Sequence, residues 1–306
     1  MVTVCMPLYN AENFVKKSIE SILNQTYSDF ELLIVDNCST DSSVEVVEQI
    51  HDDRIVLIKN KENKGLSYSR NKMIELAKGE YIALLDSDDL ATPWRLEKEV
   101  AFLDSHKSMV AVGGYATCID EKGDTFDMLR PQLKNPQYIR AYMMLNNVIP
   151  NGSGMYRKSV VLNHGIRYQD GYCGVEDYKF WCDLLKVGEI ANLGDILLNY
   201  RIVSSGVSGE NTRKHKKERD EIIWSIQKEN LEYYGFQFTP EQLDLLKKCF
   251  AENGKPESKE ELNKLFTVLK DMERQAVISK LDNANEIKIM CRKRFGEMVS
   301  KSMFLW

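Results

Sequence analysis

The chain has seven cysteines, Cys5, Cys38, Cys118, Cys173, Cys182, Cys249 and Cys291, but no C-x-x-C pair among its 306 residues. An odd count without that spacing argues against a disulfide framework and a zinc knuckle, and favours a reducing compartment. No stretch approaches the about 18 uninterrupted apolar residues of a transmembrane helix. Met1–Met6 has no basic segment ahead of a long apolar one, so no signal peptide is expected. Only four histidines occur, His51, His106, His164 and His215, and none falls in an H-E-x-x-H or paired spacing. Neither sign of charge dominates: 41 Lys and Arg stand against 46 Asp and Glu, a net charge of −5. That balance excludes a polyanion-binding chain, so no nucleic-acid partner is expected. Internal repeats and low-complexity tracts are also lacking.

What is present is a core. Hydrophobic residues make up 43% of the chain and aromatics 9%, enough for one large α/β domain with an appendage. Val2–Met6, Glu31–Val35, Arg54–Lys59 and Tyr81–Leu85 are short apolar runs of strand length. Between them, Asn13–Gln25, a segment capped by Ser39, Thr40 and Asp41 and running to Ile50, and Leu66–Ala77 have helical spacing. Pro93 opens a fourth helix. Strands alternating with helices predict a mostly parallel sheet flanked by helices. Farther on, Val110–Gly113, Ser153–Tyr156 and Ile196–Ile202 read as strands and Glu176–Val187 as a helix. From about Gly209 the charge density rises and strand signals stop. Lys214–Tyr234, Glu241–Glu252, Lys259–Leu269 and Met272–Val299 read as helices, with a break across Glu252–Ser258. The expected division is therefore 1–208, with halves of about 1–108 and 109–208, followed by a helical extension over 209–306.

In such sheets ligands sit beyond the carboxyl ends of the strands. That rule selects Pro7–Asn10, Asp36–Thr40 and Asp86–Asp89, each a polar or turn-forming group directly after a strand. Asp86, Asp88 and Asp89 would repel one another unless a cation holds them, and hard oxygen ligands suit Mg²⁺ or Mn²⁺. The competing explanation is helix capping, because Thr92 and Pro93 follow. Asp36 and Asn37 could bond a base edge, or could simply make a turn. Glu176 and Asp177 open an amphipathic helix. Either the helix dipole favours them there, or one carboxylate is a general base.

Taken together, these segments resemble the family 2 glycosyltransferases of the GT-A fold. The residues that carry the resemblance are Val4-Cys5-Met6-Pro7-Leu8-Tyr9-Asn10, Ser21-Ile22-Leu23-Asn24-Gln25-Thr26, Phe30-Glu31-Leu32 and Val35-Asp36-Asn37-Cys38-Ser39-Thr40-Asp41. They continue with Gly65-Leu66-Ser67, Arg70-Asn71, Gly79-Glu80-Tyr81-Ile82, Asp86-Ser87-Asp88-Asp89 and Glu176-Asp177. The resemblance implies a Rossmann-like GT-A domain and an inverting transfer from a nucleotide-diphosphate sugar, with UDP as the expected nucleotide. The acceptor would be a hydroxyl of a saccharide or lipid-linked molecule in surface polysaccharide or lipooligosaccharide synthesis. It implies that Pro7, Leu8, Tyr9, Asn10, Asp36 and Asn37 line the nucleotide pocket, with Arg70 near the diphosphate. Asp86 and Ser87 would meet the donor, and Asp88 with Asp86 would bind a divalent cation, Mn²⁺ or Mg²⁺. Asp177 would be the base and Glu176 would position the acceptor or the loop.

Two positions depart from the family pattern. Asn37 stands where many relatives have Asp, and Val203 in Tyr200-Arg201-Ile202-Val203 stands where many have His, leaving Ser204, Ser205 and Ser208 as substitutes. Trp181, one turn after the Glu-Asp pair, is a candidate acceptor platform or a core aromatic. Phe126–Asn151 and Gln169–Gly174 are expected to shape the acceptor site.

Glu286–Trp306 has five basic residues (Lys288, Arg292, Lys293, Arg294, Lys301) and two acidic ones (Glu286, Glu297), a local balance of +3, and ends in Met303-Phe304-Leu305-Trp306. It suits either a peripheral membrane contact or a docked helix. A cytoplasmic location is expected, with peripheral contact at the inner face of the plasma membrane in the first case. Pairing of two copies through the helical tail stays open. A sugar-nucleotide pyrophosphorylase would need a glycine-rich basic loop where Pro7-Leu8-Tyr9-Asn10-Ala11 stands, and a dehydrogenase would need G-x-G-x-x-G there. A nucleotide-sugar-binding protein without catalysis is the non-enzyme alternative; Val203 favours it, and Asp86, Asp88 and Asp177 oppose it.

Overall fold

The computed structural model describes residues 1–129, 135–172, 174–203 and 216–302. The chain forms two compact units, Met1–Lys134 with Ile149–Lys214, and Asn135–Val148 with His215–Trp306.

The first unit is built on a nine-stranded sheet. In chain order its elements are β1 Val2–Leu8, α1 Val15–Leu23, β2 Phe30–Asp36, α2 Ser43–Glu48, β3 Ile55–Lys59, α3 Leu66–Leu76, β4 Tyr81–Leu84, β5 Leu90–Ala91, α4 Arg95–Ser105, β6 Met109–Ile119 and β7 Thr125–Leu129. After the excursion into the second unit come β8 Met155–Arg157, α6 Lys158–Asn163, α7 Glu176–Leu185 and β9 Glu189–Arg201; α5, Pro136–Tyr142, belongs to that excursion. The strand order is β3-β2-β1-β4-β8-β6-β9-β5, with β7 paired to β6. β1, β2, β3 and β4 are mutually parallel, as the strand-helix alternation predicts. The other half is mixed: β8 runs antiparallel to β4 and β6, β5 antiparallel to β9, and β7 antiparallel to β6. The sheet is therefore mixed rather than purely parallel, with β6 and β9 also parallel and the antiparallel pairings short. The strand expected over Ser153–Tyr156 overlaps β8, whereas β5, with two residues, is too short to leave a periodic trace in sequence.

β1 and β2 are apolar throughout because both faces of the central sheet are covered. Val2, Val4, Met6, Leu8, Leu32 and Ile34 are fully buried with Ile19, Ile22, Leu96 and Leu103 from α1 and α4. Gly79 lets β1 and β4 meet: a Cβ there would lie 2.4 Å from the Thr3 nitrogen and 2.8 Å from the Tyr81 oxygen.

In the second unit, α5 gathers with α8 Lys216–Tyr233, α9 Pro240–Phe250, α10 Lys259–Ile278 and α11 Ala284–Ser302. Ala141 and Met144 are buried in one core with Leu231, Leu246, Leu265, Met272, Ile287, Met290 and Met298. Polar bonds fix the same segment. The Gln227 amide donates to the Leu145 carbonyl at 2.6 Å, and Arg140 pairs with Asp282 at 2.6 Å. Residues 135–148 thus cluster with the C-terminal helices rather than with 109–208. The helix break expected at 270–271 lies instead at 279–283, where Lys280 takes a positive φ of 51°. Thr239 and Gln242 form a capping box that starts α9.

Candidate active site at the strand ends

β1 and β2 stop together, Leu8 opposite Asp36. The next residues turn sharply: Asn10 and Cys38 both have positive φ, 49° and 67°. Such backbone is unfavourable for side chains other than glycine and needs support. The buried Asp36 carboxylate supplies it, accepting from the Cys38 and Ser39 amides at 3.2 and 3.1 Å. Asn10 accepts from the Thr40 amide at 2.8 Å and its own amide donates to the Ser39 hydroxyl at 3.1 Å, which ties the two loops together. Tyr9 stands out of this frame with 46% of its surface exposed. Asn37 is buried and largely committed. Its Nδ2 donates to Asn63 at 2.7 Å, and its Oδ1 accepts from the Lys64 amide at 3.0 Å and from Asn60 at 3.3 Å.

β4 delivers the acidic loop. It is parallel to β1 up to Cys5 opposite Leu84, so Asp86 emerges beside Pro7 two residues later. The side chain of Arg70, on α3, is 6% exposed and binds two carboxylates, Asp86 at 3.2 Å and Glu176 at 3.1 Å. Burial alone would lower the Arg70 pKa, but Asp86, Glu176 and Asp177 carry it upward instead. The guanidinium also lies 5.2 Å from the Tyr168 ring. Next to it, Asn71 bonds the Tyr168 backbone twice, accepting at 2.9 Å and donating at 2.7 Å. Two consecutive residues of one helix therefore hold the acidic loop, the start of α7 and the segment leading to it. Tyr168 belongs to no sequence motif, and nothing in the sequence points to it.

Asp88 and Asp89 complete the loop, and Ser87, nearly buried, accepts at its carbonyl from Ser18 at 2.8 Å. The Asp88 carboxyl is pushed up to about 6, first by burial and then by Asp86. Asp89 is fully buried and raised well above the usual range, again by burial first and then by Asp88 and Asp86. Its Oδ1 accepts from the Arg201 amide at 2.8 Å, so Asp89 is spent inside the fold. Among the described residues no three His, Cys, Asp or Glu side chains converge to hold an ion unaided. Asp86 and Asp88 nevertheless fit a hard divalent cation: burial and the neighbouring Asp86 destabilise the Asp88 charge, which a cation would relieve, and phosphate oxygens and water complete such shells.

Glu176 and Asp177 open α7, where the helix N-terminus favours acidic side chains. Glu176 Oε1 engages Arg70 while Oε2 is buried without a hydrogen-bond partner. Asp177 is half-buried and raised to about 6 by burial and by Glu176, against the lowering effect of Arg70. Its carboxylate also accepts from the Tyr178 amide at 2.8 Å. Trp181 is different. It is fully buried, edge-on to Tyr156 and Phe180, and a Cβ on Gly154 would come within 2.5 Å of its ring. It has no face to offer an acceptor and is a core residue. Val203 follows β9 with an aliphatic side chain that can ligate nothing; Ser204, Ser205 and Ser208 lie outside the described residues, as do Cys173 and Met303–Trp306.

With this geometry in hand, the comparisons with known proteins agree among themselves. The family model described as Glycosyl transferase family 2 matches residues 3–165, just over half of the chain. An uncharacterized glycosyltransferase of Haemophilus influenzae is 33% identical over 244 residues, 76% of this chain and 74% of the relative. The Escherichia coli UDP-Glc:alpha-D-GlcNAc-diphosphoundecaprenol beta-1,3-glucosyltransferase WfgD is 30% identical over 224 residues, 72% of this chain and 84% of the relative. Among solved structures, S. aureus TarS 1-349 in complex with UDP-GlcNAc matches with a TM-score of 0.64 at 18% identity, over 95% of this chain and 91% of that one. The mannosyltransferase PcManGT from Pyrobaculum calidifontis, in complex with GDP-Man and Mn²⁺, matches with a TM-score of 0.59 at 15% identity, over 99% and 87%. At such identities the two structures speak for the architecture, which is GT-A, while the family model and the sequence relatives speak for descent: the chain belongs to glycosyl transferase family 2.

Proposed function

We propose that the chain is an inverting, metal-dependent glycosyltransferase. It moves a sugar from a nucleotide-diphosphate sugar, UDP-linked, to a hydroxyl of a saccharide or lipid-linked acceptor in surface-polysaccharide or lipooligosaccharide synthesis. The observation that carries this reading is Arg70, one buried cation bonded both to Asp86 of the acidic loop and to Glu176 beside Asp177. It couples a donor-binding loop to the group that would activate the acceptor. The names of relatives support the substrates: WfgD is named for UDP-Glc and a diphosphoundecaprenol-linked sugar, and TarS was solved with UDP-GlcNAc.

In this reading the exposed Tyr9 ring stacks on the base between Pro7, Leu8, Asn10, Asp36 and Asn37. Only one amide hydrogen of Asn37 is left for the base edge, since its Oδ1 already has two donors. Asp86 and Ser87 meet the ribose and sugar. Asp86 and Asp88 would hold Mn²⁺ or Mg²⁺, which when bound neutralises charge on the leaving diphosphate. Asp177 takes the acceptor hydroxyl's proton, and its pKa of about 6 leaves it ionised at neutral pH yet basic enough to do so. The acceptor oxygen bonds to the anomeric carbon as the bond to the diphosphate oxygen breaks, inverting that centre without a covalent glycosyl-enzyme. Glu176 keeps Arg70 in place.

Among the described residues no helix is long and apolar enough to cross a membrane. A lipid-linked acceptor would be met at the inner face of the plasma membrane, through the exposed basic residues of α11. The test of the proposal is a thermal-shift screen of nucleotide sugars with Mn²⁺, Mg²⁺ or EDTA, on wild type and Asp88→Ala. One nucleotide class should raise Tm by mass action, and the rise should vanish with EDTA and in the variant. Folded protein that responds to no nucleotide would sink the donor-site reading.

A further inference from the structure

We propose that Arg201, the last residue of β9, is a positioning residue for Asp88 and acts by fixing one peptide plane. The inference rests on the donor-site reading above.

Three observations lead to it. The Arg201 Nε donates to the Asp88 carbonyl at 2.8 Å. The Asp89 amide, the other end of that same peptide unit, donates to the Asp86 carbonyl at 3.1 Å. The Asp88–Asp89 peptide is thus held at both its C=O and its N–H, and the bond between it and the Asp88 Cα cannot rotate without breaking one of them. The link is also reciprocal, because the Arg201 amide donates to Asp89 Oδ1 at 2.8 Å. Side chain 201 holds backbone 88 while side chain 89 holds backbone 201.

The guanidinium is itself rigidly placed. Arg201 is 4% exposed, its Nη1 donates to the Asp120 and Glu121 carbonyls at 2.7 and 3.2 Å, and its plane lies 4.9 Å from the Phe14 ring. One planar fork therefore spans the acidic loop, the turn after β6 and the residue before α1. Such an arrangement uses the geometry of a guanidinium and not just its charge, which a lysine ammonium could not reproduce at all three places. The consequence is that the direction of the Asp88 side chain is set by Arg201, although Arg201 touches neither ion nor donor in this scheme. Partners one shell out from a metal ligand commonly change metal affinity by roughly 10- to 100-fold.

The experiment measures UDP binding by calorimetry as Mn²⁺ is titrated up to saturation, on wild type, Arg201→Lys and Arg201→Met, with Tm recorded for each. The expected result is a Mn²⁺ midpoint raised roughly tenfold or more in both variants, with UDP affinity at saturating Mn²⁺ kept at the wild-type value. A midpoint restored to the wild-type value in Arg201→Lys would mean that charge alone suffices and would overturn the proposal. So would a loss of UDP affinity that persists at saturating Mn²⁺, which is what general loosening of the fold produces. If Arg201→Met does not fold, the lysine variant alone decides. Wild type that lacks Mn²⁺-dependent UDP binding overturns the donor-site reading and this inference with it; wild type that binds, with unchanged variants, overturns only the role of Arg201.

Discussion

Replacing Arg70 by Met should destabilise the first unit by about 3 kcal/mol. Arg70 is the cation between Asp86 and Glu176, and breaking a buried pair by removing one partner typically costs ~3–5 kcal/mol because a charge is left uncompensated. The two carboxylates fare differently afterwards. The Asp86 side chain is 31% exposed and can rehydrate, whereas that of Glu176 is 9% exposed and cannot. The lower end of the range is therefore expected, about 3 kcal/mol, which for a unit of this size lowers Tm by about 6–12 °C. Urea unfolding followed by tryptophan fluorescence reads this directly, since Trp181 is fully buried in the same unit. Adding Glu176→Gln to Arg70→Met should recover roughly 1–2 kcal/mol by removing the stranded charge. An Arg70→Met variant within about 1 kcal/mol of wild type, or a double variant with no recovery, would refute the argument that this cation holds the site together.

Four further outcomes are expected. With donor saturating, turnover should rise as pH increases through about 6 and level off above it, because Asp177 must be ionised to accept a proton; a flat profile from pH 5 to 8 would remove it as the base. The same raised pKa works oppositely on stability: the Asp177 contribution is present in full below about 3.8 and is lost as pH rises through about 6, so Asp177→Asn should raise Tm more at pH 8 than at pH 4. Gly154→Ala forces a methyl to within 2.5 Å of the Trp181 ring and should cost about 1–3 kcal/mol in urea unfolding, with the donor-induced thermal shift retained. In α11, Lys288, Ile289, Arg292, Lys293 and Val299 lie along one exposed face. Reversing Lys288, Arg292 and Lys293 to Glu should abolish flotation with anionic vesicles at low salt if this face meets lipid, and equal flotation of both proteins would exclude it.

The strand-end loops were legible because each follows an apolar run that can only be a buried strand. Pro7, Asp36 and Asp86 therefore meet as soon as β1, β2 and β4 are parallel neighbours. The pairing of Arg70 with Asp86 and Glu176 was not legible, since it links residues 106 apart in sequence and depends on how α3 crosses the sheet. Trp181 had two readings, and only burial decides between them. The missed elements are short or atypical. β7, α5 and α6 have five to seven residues each, too few for a helical or alternating pattern to stand out. The helix break drawn at 270–271 was an error of local reading: Met272 and Ala276 continue the buried stripe of α10, and the chain turns only at Lys280, where no glycine or proline marks it. Arg201 sits in a legible Tyr-Arg pair, yet its partners are main-chain carbonyls, which have no sequence signature.

The excursion of residues 135–148 has a consequence for synthesis on the ribosome. The chain threads out of the first unit after Lys134 and returns at Ile149, so the first unit can close once β9 has emerged. The excursion cannot. Ala141 and Met144 wait for Leu246, Leu265, Ile287 and Met298, all of which are made long after β9. At about 5–20 residues per second, an apolar segment would stay exposed for several seconds after the first unit has closed. Truncating the helical extension at 208 would make that exposure permanent, so expression of 1–208 alone should yield aggregates.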